Sequence, residues 1–194
     1  MILLGTIASS LLQNVDNGVM DPLQVITVGP SGASTITFTN IPSTYSHLQV
    51  RAVARTTRAT FANDGLAFYF NGDNAANYSR HQFAGDASGG LDNGPAANST
   101  FMFSQVGGNG AGTNIFGAAI VDILDYSNTN KYKTARMFSG VDNNSAANQQ
   151  SGYVSLASGS WRNTNAITSI TFYGLTGNFL QNTSLALYGI KGAE

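Results

Sequence analysis

The sequence has 194 residues, of which 42% are hydrophobic and only 10% are charged, against about 25% charged in typical globular domains. Its formal net charge is −1 and its pI is near 6.0, so no basic excess is available to neutralise phosphates, and we expect no nucleic-acid partner. The absence of cysteine excludes disulfides, thiol catalysis and cysteine metal sites.

The charge deficit is selective, and it argues against helices. Glu194 is the only glutamate, and lysine occurs only at Lys131, Lys133 and Lys191. Glu and Lys are the usual residues of exposed helix faces, because they lose little rotamer freedom there. The surface is instead rich in Asn, Ser, Thr and Gly. Two interpretations remain open: these groups solvate the surface, or much of the surface faces other protein subunits.

The first twelve residues are mostly apolar and include Ile2, Leu3 and Leu4. Gly5 and Ser9 interrupt the run, which lacks a basic leader and is too short to cross a bilayer, so we expect no membrane partner. A first strand or a docking arm is the preferred interpretation over a signal peptide. The predicted organisation is an N-terminal arm or first strands over residues 1–30 and one β-domain over residues 31–194.

From there on, apolar and polar residues alternate with a period of two. Leu48, Val50, Ala52 and Ala54 would face one side of a strand, and the residues between them the other. Residues 118–124 are apolar on both sides, as in a central strand. Further strand candidates lie at residues 23–28, 34–39, 66–70, 78–83, 133–141, 152–156, 167–173 and 185–190. About ten short strands with little or no helix predict an all-β protein, an antiparallel β-sandwich or barrel.

Turn signals separate the strand candidates. Residues 71–74, Asn-Gly-Asp-Asn, form a hairpin-type sequence, because Asn and Gly tolerate positive φ. Their side-chain oxygens could also contribute to a calcium site, but a tight turn stabilised by Asn and Asp is the simpler interpretation. Three stretches rich in Gly, Asn and Ala are predicted to be loops: residues 84–99, 104–113 and 142–150.

No catalytic template fits the sequence. The two histidines, His47 and His81, are not accompanied by a G-x-S-x-G nucleophile elbow. Asp122 and Asp125 are three residues apart on or near a strand, so they would face opposite sides rather than form a carboxylate pair. The prediction is that the chain is not an enzyme and carries no metal or cofactor. Loss of turnover on substitution of Asp73, His81, Asp122 or Asp125 would revive the enzyme hypothesis.

Partner contacts are predicted at a few positions. Arg51 and Arg55 would share a strand face and form a small basic patch suited to pairing with carboxylates, unless that face is simply solvated. Trp161 is the only tryptophan; it would stack on a sugar, contact a subunit or lie in the core. Ile2, Leu3 and Leu4 complete the candidate contacts, as an arm that docks on a neighbour.

Most of the chain from residue 34 onward resembles a group of small β-rich virion proteins of tailed bacteriophages. The matching stretches are residues 36–48 (ITFTNIPSTYSHL), 69–79 (YFNGDNAANYS), 125–129 followed by Lys131 and Lys133, 159–161, 166–170, 177–179 and 187–191. The resemblance implies a jelly-roll-like fold, a homotrimer, and location in the virion after assembly in the host cytoplasm. Members of the group decorate capsids or belong to tail fibres and baseplates, and the resemblance carries over no functional residues.

Two functions follow as expectations. The first is a capsid decoration (cement) protein that braces the major capsid protein or other virion proteins through protein–protein contacts. The alternative is a tail fibre or baseplate component that binds a glycan of the host surface.

Overall fold

The computed structural model describes residues 19–86, 91–93, 96–144 and 152–192, and in this part the chain forms thirteen β-strands and one turn of 3₁₀ helix at Asn109–Ala111. The strands are β1 (Met20–Thr27), β2 (Thr35–Phe38), β3 (His47–Ala54), β4 (Asn63–Phe70), β5 (Tyr78–Asp86), β6 (Leu91–Asn93), β7 (Ala96–Ser99), β8 (Met102–Gly107), β9 (Gly117–Leu124), β10 (Lys133–Asp142), β11 (Gly152–Trp161), β12 (Ile170–Gly174) and β13 (Ser184–Ile190). Among these residues we find no helix with the length and apolar character needed to span a membrane.

The strands form two antiparallel sheets. The large sheet has the order β1-β13-β3-β9-β10-β11-β5-β6, with β7 also paired to β5, and the small sheet has the order β2-β12-β4-β8. One face of each sheet packs against the other around a shared core. The prediction of an all-β antiparallel sandwich with little helix is therefore confirmed.

The core follows the alternation read from the sequence. Leu48, Val50, Ala52 and Ala54 of β3 are buried, whereas the intervening side chains point outward. The small sheet contributes phenylalanines, and the Phe68 ring lies 5.3 Å from the Phe172 ring, centroid to centroid. Burying such a side chain contributes about 1.5–3 kcal/mol, so this layer holds the two sheets together.

The turn predicted at residues 71–74 has the expected backbone but a different role. Asn71 and Gly72 have φ of 52° and 70°, the left-handed region that Asn and Gly tolerate. The turn does not close a hairpin, because β4 belongs to the small sheet and β5 to the large one. The Asp73 carboxylate accepts hydrogen bonds from Ala75 N, Asn77 Nδ2 and Trp161 Nε1, the last at 2.7 Å. The oxygen-rich sequence thus braces a crossover between sheets.

Two of the predicted loops contain strands. Residues 84–99 include the end of β5 together with β6 and β7, and residues 104–113 include most of β8. The middle of β8 is polar but buried: Ser104 and Gln105 are 1% and 6% exposed. Gln105 Oε1 accepts a hydrogen bond from Asn63 Nδ2, whereas Ser104 Oγ has no partner among the described residues. Side chains that satisfy one another in this way allow a polar segment to enter a core, which period-two apolar patterning does not reveal.

Two charged groups are fully buried. Lys133 Nζ donates hydrogen bonds to the carbonyl oxygens of Asn128, Lys131 and Thr164, and burial lowers the pKa of its ammonium group. The Asp64 carboxylate accepts hydrogen bonds at the opposite end of the sandwich. Both groups hold loops in place through backbone contacts that no other residue type of similar size would make.

Candidate functional site

Four aromatic rings form a connected patch on the outer face of the small sheet, which we call the aromatic platform: Tyr69, Phe101, Phe103 and Tyr173. Each ring is partly exposed. Tyr173 is the link, because its ring centroid lies 6.1 Å from that of Tyr69 and 6.0 Å from that of Phe101. The Phe101 and Phe103 rings are 6.2 Å apart.

The register of the small sheet produces this platform. Ala67 pairs with Tyr173 on one side and with Phe103 on the other, so three outward positions form one row across β12, β4 and β8. Tyr69 is two residues further along β4, on the same face. Residues two apart on a strand share a face. The small Ala67 side chain leaves room for the larger rings around it and is itself fully covered.

Polar groups border the platform on both sides. Thr35 and Thr37 of β2 are exposed, and the Thr37 and Thr171 hydroxyls are 3.2 Å apart. On the other side, the Arg80 guanidinium carbon lies 3.6 Å from the Phe103 ring centroid, a cation–π geometry. Burial and the neighbouring Tyr69 raise the pKa of the Tyr173 phenol, so this hydroxyl remains a donor at neutral pH.

The platform combines the two interactions that sugars use. The face of an aromatic ring carries partial negative charge, which attracts the weakly polarised C–H groups of a pyranose ring. The threonine and tyrosine hydroxyls donate and accept hydrogen bonds, as sugar hydroxyls do. The arrangement is therefore suited to holding a glycan along the outer face of the small sheet.

A second exposed surface lies on the outer face of the large sheet, which we call the apolar face. Its register places one row of side chains across seven strands in the order Val25, Ala186, Arg51, Ile120, Phe138, Leu156 and Phe83. Val25, Phe138, Leu156 and Phe83 are each more than half exposed. Val53 and Val154, 52% and 56% exposed, lie in the next row. Single exposed apolar residues are ordinary, but a contiguous set marks an interaction surface.

Strand β9 accounts for this surface. It is central in the large sheet, between β3 and β10, as its double-sided apolar sequence predicted. Its inner residues Ala119, Val121 and Ile123 are buried, but Ile120 on the outer side is 38% exposed, because no second layer covers that face in the described part of the chain. Beside the apolar rows, Asp122 accepts a hydrogen bond from Gln49 Nε2 at 2.8 Å and lies 3.9 Å from Arg136 Nη2.

The structure separates the two arginines predicted to form one patch. Arg51 lies within the apolar face, where its Nε donates to Gln49 Oε1 and its guanidinium stands over the Tyr188 ring at 5.5 Å. Arg55 follows the end of β3, and its Nη2 donates to Asn109 Oδ1. The two guanidinium groups therefore have different partners, and no hydrogen bond joins them to a common group in the described residues.

Trp161 is a core residue. Its side chain is 1% exposed and stacks on Tyr78, with ring centroids 6.3 Å apart and planes at 14°. The Trp161 ring is therefore not exposed, so it cannot make the contact with a sugar or a subunit that the sequence left open. Ile2, Leu3 and Leu4 lie outside the described residues.

Of the histidines and carboxylates singled out in the sequence, His47 and Asp125 are neighbours, with His47 Nδ1 3.6 Å from Asp125 Oδ1. His47 Nδ1 accepts a hydrogen bond from the Asp125 backbone N–H at 3.0 Å, and Asp125 also pairs with Lys131. His81 lies on β5, opposite Ser158 on β11. In the described ranges, no three His, Cys, Asp or Glu side chains are grouped so that they could hold a metal ion.

The aromatic platform was missed in the sequence, although part of its signal was present. Tyr69 and Phe103 belong to runs in which aromatic residues are consecutive or alternate, so inward and outward rings could not be told apart. Phe101 and Phe103 precede or begin β8, most of which lay in a predicted loop. Only the pairing of β4 with both β8 and β12 brings the four rings together.

Comparison with known proteins gives no match to any family model and no match among curated proteins. Similar solved structures include the enzymatically active domain of tailspike protein 2 of bacteriophage CBA120, at 11% identity and a TM-score of 0.36, covering 90% of this chain and 29% of that one. A glycoside hydrolase of family GH43, engineered for endo-xylanase and exo-arabinofuranosidase activity, aligns at 9% identity and a TM-score of 0.37, covering 92% and 37%. A mutant of the alginate lyase Aly36B in complex with an alginate tetrasaccharide aligns at 9% identity and a TM-score of 0.27, covering 88% and 82%.

The chain spans about a third of the length of the first two of these structures. The comparison corrects one prediction. The sequence was interpreted as that of a non-enzymatic protein, whereas the solved structures with which it aligns include an enzymatically active tailspike domain, a GH43 glycoside hydrolase, a fructosyltransferase and an alginate lyase. The absence of a sequence template for catalysis was an insufficient ground for that prediction, because catalytic groups assembled from distant strands leave no local motif.

Proposed function

We propose that this protein binds glycan through the aromatic platform, as a tail fibre or baseplate component of a bacteriophage that contacts the host surface. The observation that carries the proposal is the row of partly exposed rings, Tyr69, Tyr173, Phe101 and Phe103, bordered by hydroxyl groups. The resemblance of the sequence to phage virion proteins supports the same setting. Host lipopolysaccharides and capsular polysaccharides are then the ligands to test.

The decisive experiment compares a platform variant with a matched control. We expect the double variant Tyr69→Ser/Tyr173→Ser to weaken binding to a polysaccharide about tenfold or more, equivalent to about 1.4 kcal/mol or more. Tyr132→Ala removes a tyrosine that is 56% exposed but lies outside the platform, and it should bind as the wild type does. Affinity electrophoresis in gels that contain each polysaccharide measures the effect, and release of reducing ends in the same samples separates binding from cleavage.

Two outcomes would refute the proposal. One is that the wild-type chain binds none of a broad panel of bacterial surface polysaccharides. The other is that the double variant, with an unchanged urea unfolding midpoint, binds as tightly as the wild type.

The apolar face favours a second candidate function, assembly of a virion by protein–protein contact, as in capsid decoration. Strands are about 4.8 Å apart and outward residues about 6.7 Å apart along each strand. The two apolar rows and the adjoining row that contains Asp122 therefore cover roughly 700 Å² across seven strands. A stable interface buries about 800 Å² per partner. We propose that a second copy of the chain covers this face within a homotrimer, and that neighbouring virion proteins, including the major capsid protein, contact the assembled copies.

Light scattering coupled to gel filtration tests this assembly. Phe138→Ser/Leu156→Ser should shift the protein toward the monomer, whereas Leu175→Ser, which alters a 43% exposed leucine outside the apolar face, should not. A wild-type chain that is monomeric at high concentration would refute self-association. The copy number per purified virion would then distinguish the two locations. Capsid decoration requires a copy number comparable with the number of capsomers, whereas a tail component is present in far fewer copies.

A further inference from the structure

At one end of the sandwich, loops border an open polar pocket of about 490 Å³, which we call the loop-end cavity. The volume falls within the range of about 300–1,000 Å³ that is usual for small-molecule sites. The side chains that matter here are Arg55, Asn114, Phe116, Asn178, Gln181 and Asn182. They come from the ends of β3, β9 and β13, far from the centre of either exposed face.

The walls of the cavity are held by backbone hydrogen bonds. Ala33 and Phe179 exchange two N–H···O bonds of 3.0 and 2.8 Å. Leu180 N donates to Arg55 O, and Asn182 N donates to Val28 O, at 2.9 and 3.0 Å. A cavity with fixed walls loses little conformational freedom when a ligand binds, so it is preorganised for binding.

The hydrogen-bonding groups of the cavity are largely unused. In the described part of the chain, the side-chain amides of Asn114, Asn178, Gln181 and Asn182 make no hydrogen bond to another residue. An amide offers both donors and an acceptor. Four such groups around one space match a ligand that carries many hydroxyls.

Arg55 supplies the only charge among the described residues that line the cavity. Its guanidinium donates one hydrogen bond, from Nη2 to Asn109 Oδ1 at 2.5 Å, and its Nη1 donates to no other described residue. It is paired with no carboxylate within the described residues. A partly buried cation with an unmet donor is stabilised by an anion, and the planar fork of arginine matches a carboxylate.

We infer that the loop-end cavity binds an acidic sugar, a uronic or sialic acid, with its carboxylate on Arg55 and its hydroxyls on the side-chain amides. Phe116 supplies an apolar wall for the C–H face of the sugar ring. The inference rests on the proposed function only in taking the ligand to be a saccharide. It adds the preferred charge of that saccharide and a second place on the molecule where it binds.

The test uses glucuronic acid and N-acetylneuraminic acid as probes, with glucose and acetate as comparison ligands, in NMR titrations of the full chain. Wild type should bind the two acidic sugars and bind glucose and acetate about tenfold more weakly or worse. Arg55→Gln should lose about tenfold or more in affinity for the acidic sugars. Arg162→Gln, the matched control, alters an exposed arginine that follows β11 at the opposite end of the sandwich, and it should leave affinity unchanged.

A second variant tests the inference without replacing the partly buried Arg55. Gln181 is exposed, so Gln181→Glu should fold normally while placing a negative charge in the cavity, and it should weaken binding of the acidic sugars and not of glucose. The inference is overturned if wild type binds no acidic sugar, if glucose or acetate binds as tightly as the acidic sugars, or if Arg162→Gln and Arg55→Gln lose affinity equally. If the chain binds no polysaccharide but both the wild type and the Tyr69→Ser/Tyr173→Ser variant bind acidic sugars, then the proposal for the aromatic platform is refuted and the inference for the loop-end cavity is not.

Discussion

The buried carboxylate of Asp64 permits a sharp test of how this fold is held together. It is 0% exposed and accepts four hydrogen bonds. Its Oδ2 accepts from Thr56 Oγ1 at 2.7 Å and from Gly177 N at 3.1 Å, and its Oδ1 accepts from Gly65 N at 2.8 Å and from Thr176 N at 3.2 Å. Asp64 thereby ties β4 to the segment that borders the loop-end cavity.

Replacing Asp64 with Asn tests these bonds together with the ion pair to Arg58 Nη1, 4.0 Å from Oδ1, because the two side chains have the same shape and no cavity is created. In either orientation the new amide nitrogen faces at least one backbone N–H, which costs about 1–3 kcal/mol as an unsatisfied buried donor. The bonds that remain lose their charge assistance, about 1 kcal/mol each. Relief of the desolvation cost of a buried charge offsets part of this loss. We therefore expect Asp64→Asn to lower the free energy of unfolding by about 2–4 kcal/mol, out of a total of about 5–15 kcal/mol.

Urea unfolding monitored by tryptophan fluorescence measures the change, since Trp161 is the only tryptophan and is buried. With an m-value of about 1–3 kcal/mol per molar urea, the midpoint should fall by roughly 1 M or more. Asp122→Asn is the matched control, because Asp122 lies on the outer face of the large sheet, and it should change the free energy of unfolding by about 1 kcal/mol or less. A loss for Asp64→Asn below about 1 kcal/mol, or equal to that of the control, would refute the reasoning.

Three further predictions concern the core and its crossover. Trp161→Phe removes the N–H that donates to Asp73 Oδ2 and should lower the free energy of unfolding by about 1.5–3 kcal/mol in urea, followed by circular dichroism. Burial works to raise the pKa of the Asp73 carboxyl, but hydrogen bonds from Asn77 and Trp161 outweigh it and hold that pKa below its ordinary 3.8. The stability that this carboxylate contributes is therefore complete above pH 3.8 and is lost as the pH falls through the folded-state pKa. Asp73→Asn should accordingly make the melting temperature fall less steeply as the pH is lowered in this range. A Cβ added at Gly189 would lie 2.5 Å from ring atoms of Tyr45, so Gly189→Ala should cost about 1–3 kcal/mol in the same urea assay, whereas Gly72→Ser, in open space, tests only the left-handed backbone.

The alternation of β3 shows what local sequence can predict. Apolar residues at every second position lie on one face of a strand, so Leu48, Val50 and Ala52 were correctly placed on the same side, which the structure buries. The near absence of Glu and Lys excluded surface helices for an equally local reason. The left-handed turn at Asn71 and Gly72 was predicted from the residue types alone.

The predictions that were wrong or incomplete share a physical cause. Each depends on which strands are neighbours in the folded protein. Gln105 of β8 is polar, and it is buried because Asn63 and Ser139 satisfy its side-chain oxygen and its backbone N–H from other strands. The turn at residues 71–74 could not reveal that it joins two sheets, because the same backbone closes a hairpin. Trp161 was assigned to the core only as one of several alternatives, because its hydrogen-bond partner Asp73 is 88 residues away.

The sequence by itself determined the all-β class, the inner face of strands such as β3 and the scarcity of charge, because these depend on residue type and on the two-residue period of a strand. Tertiary structure alone decided where the aromatic platform, the apolar face and the loop-end cavity lie. Each of them is assembled from strands or loops that are distant in the chain, and antiparallel register, rather than any local motif, sets which side chains become neighbours.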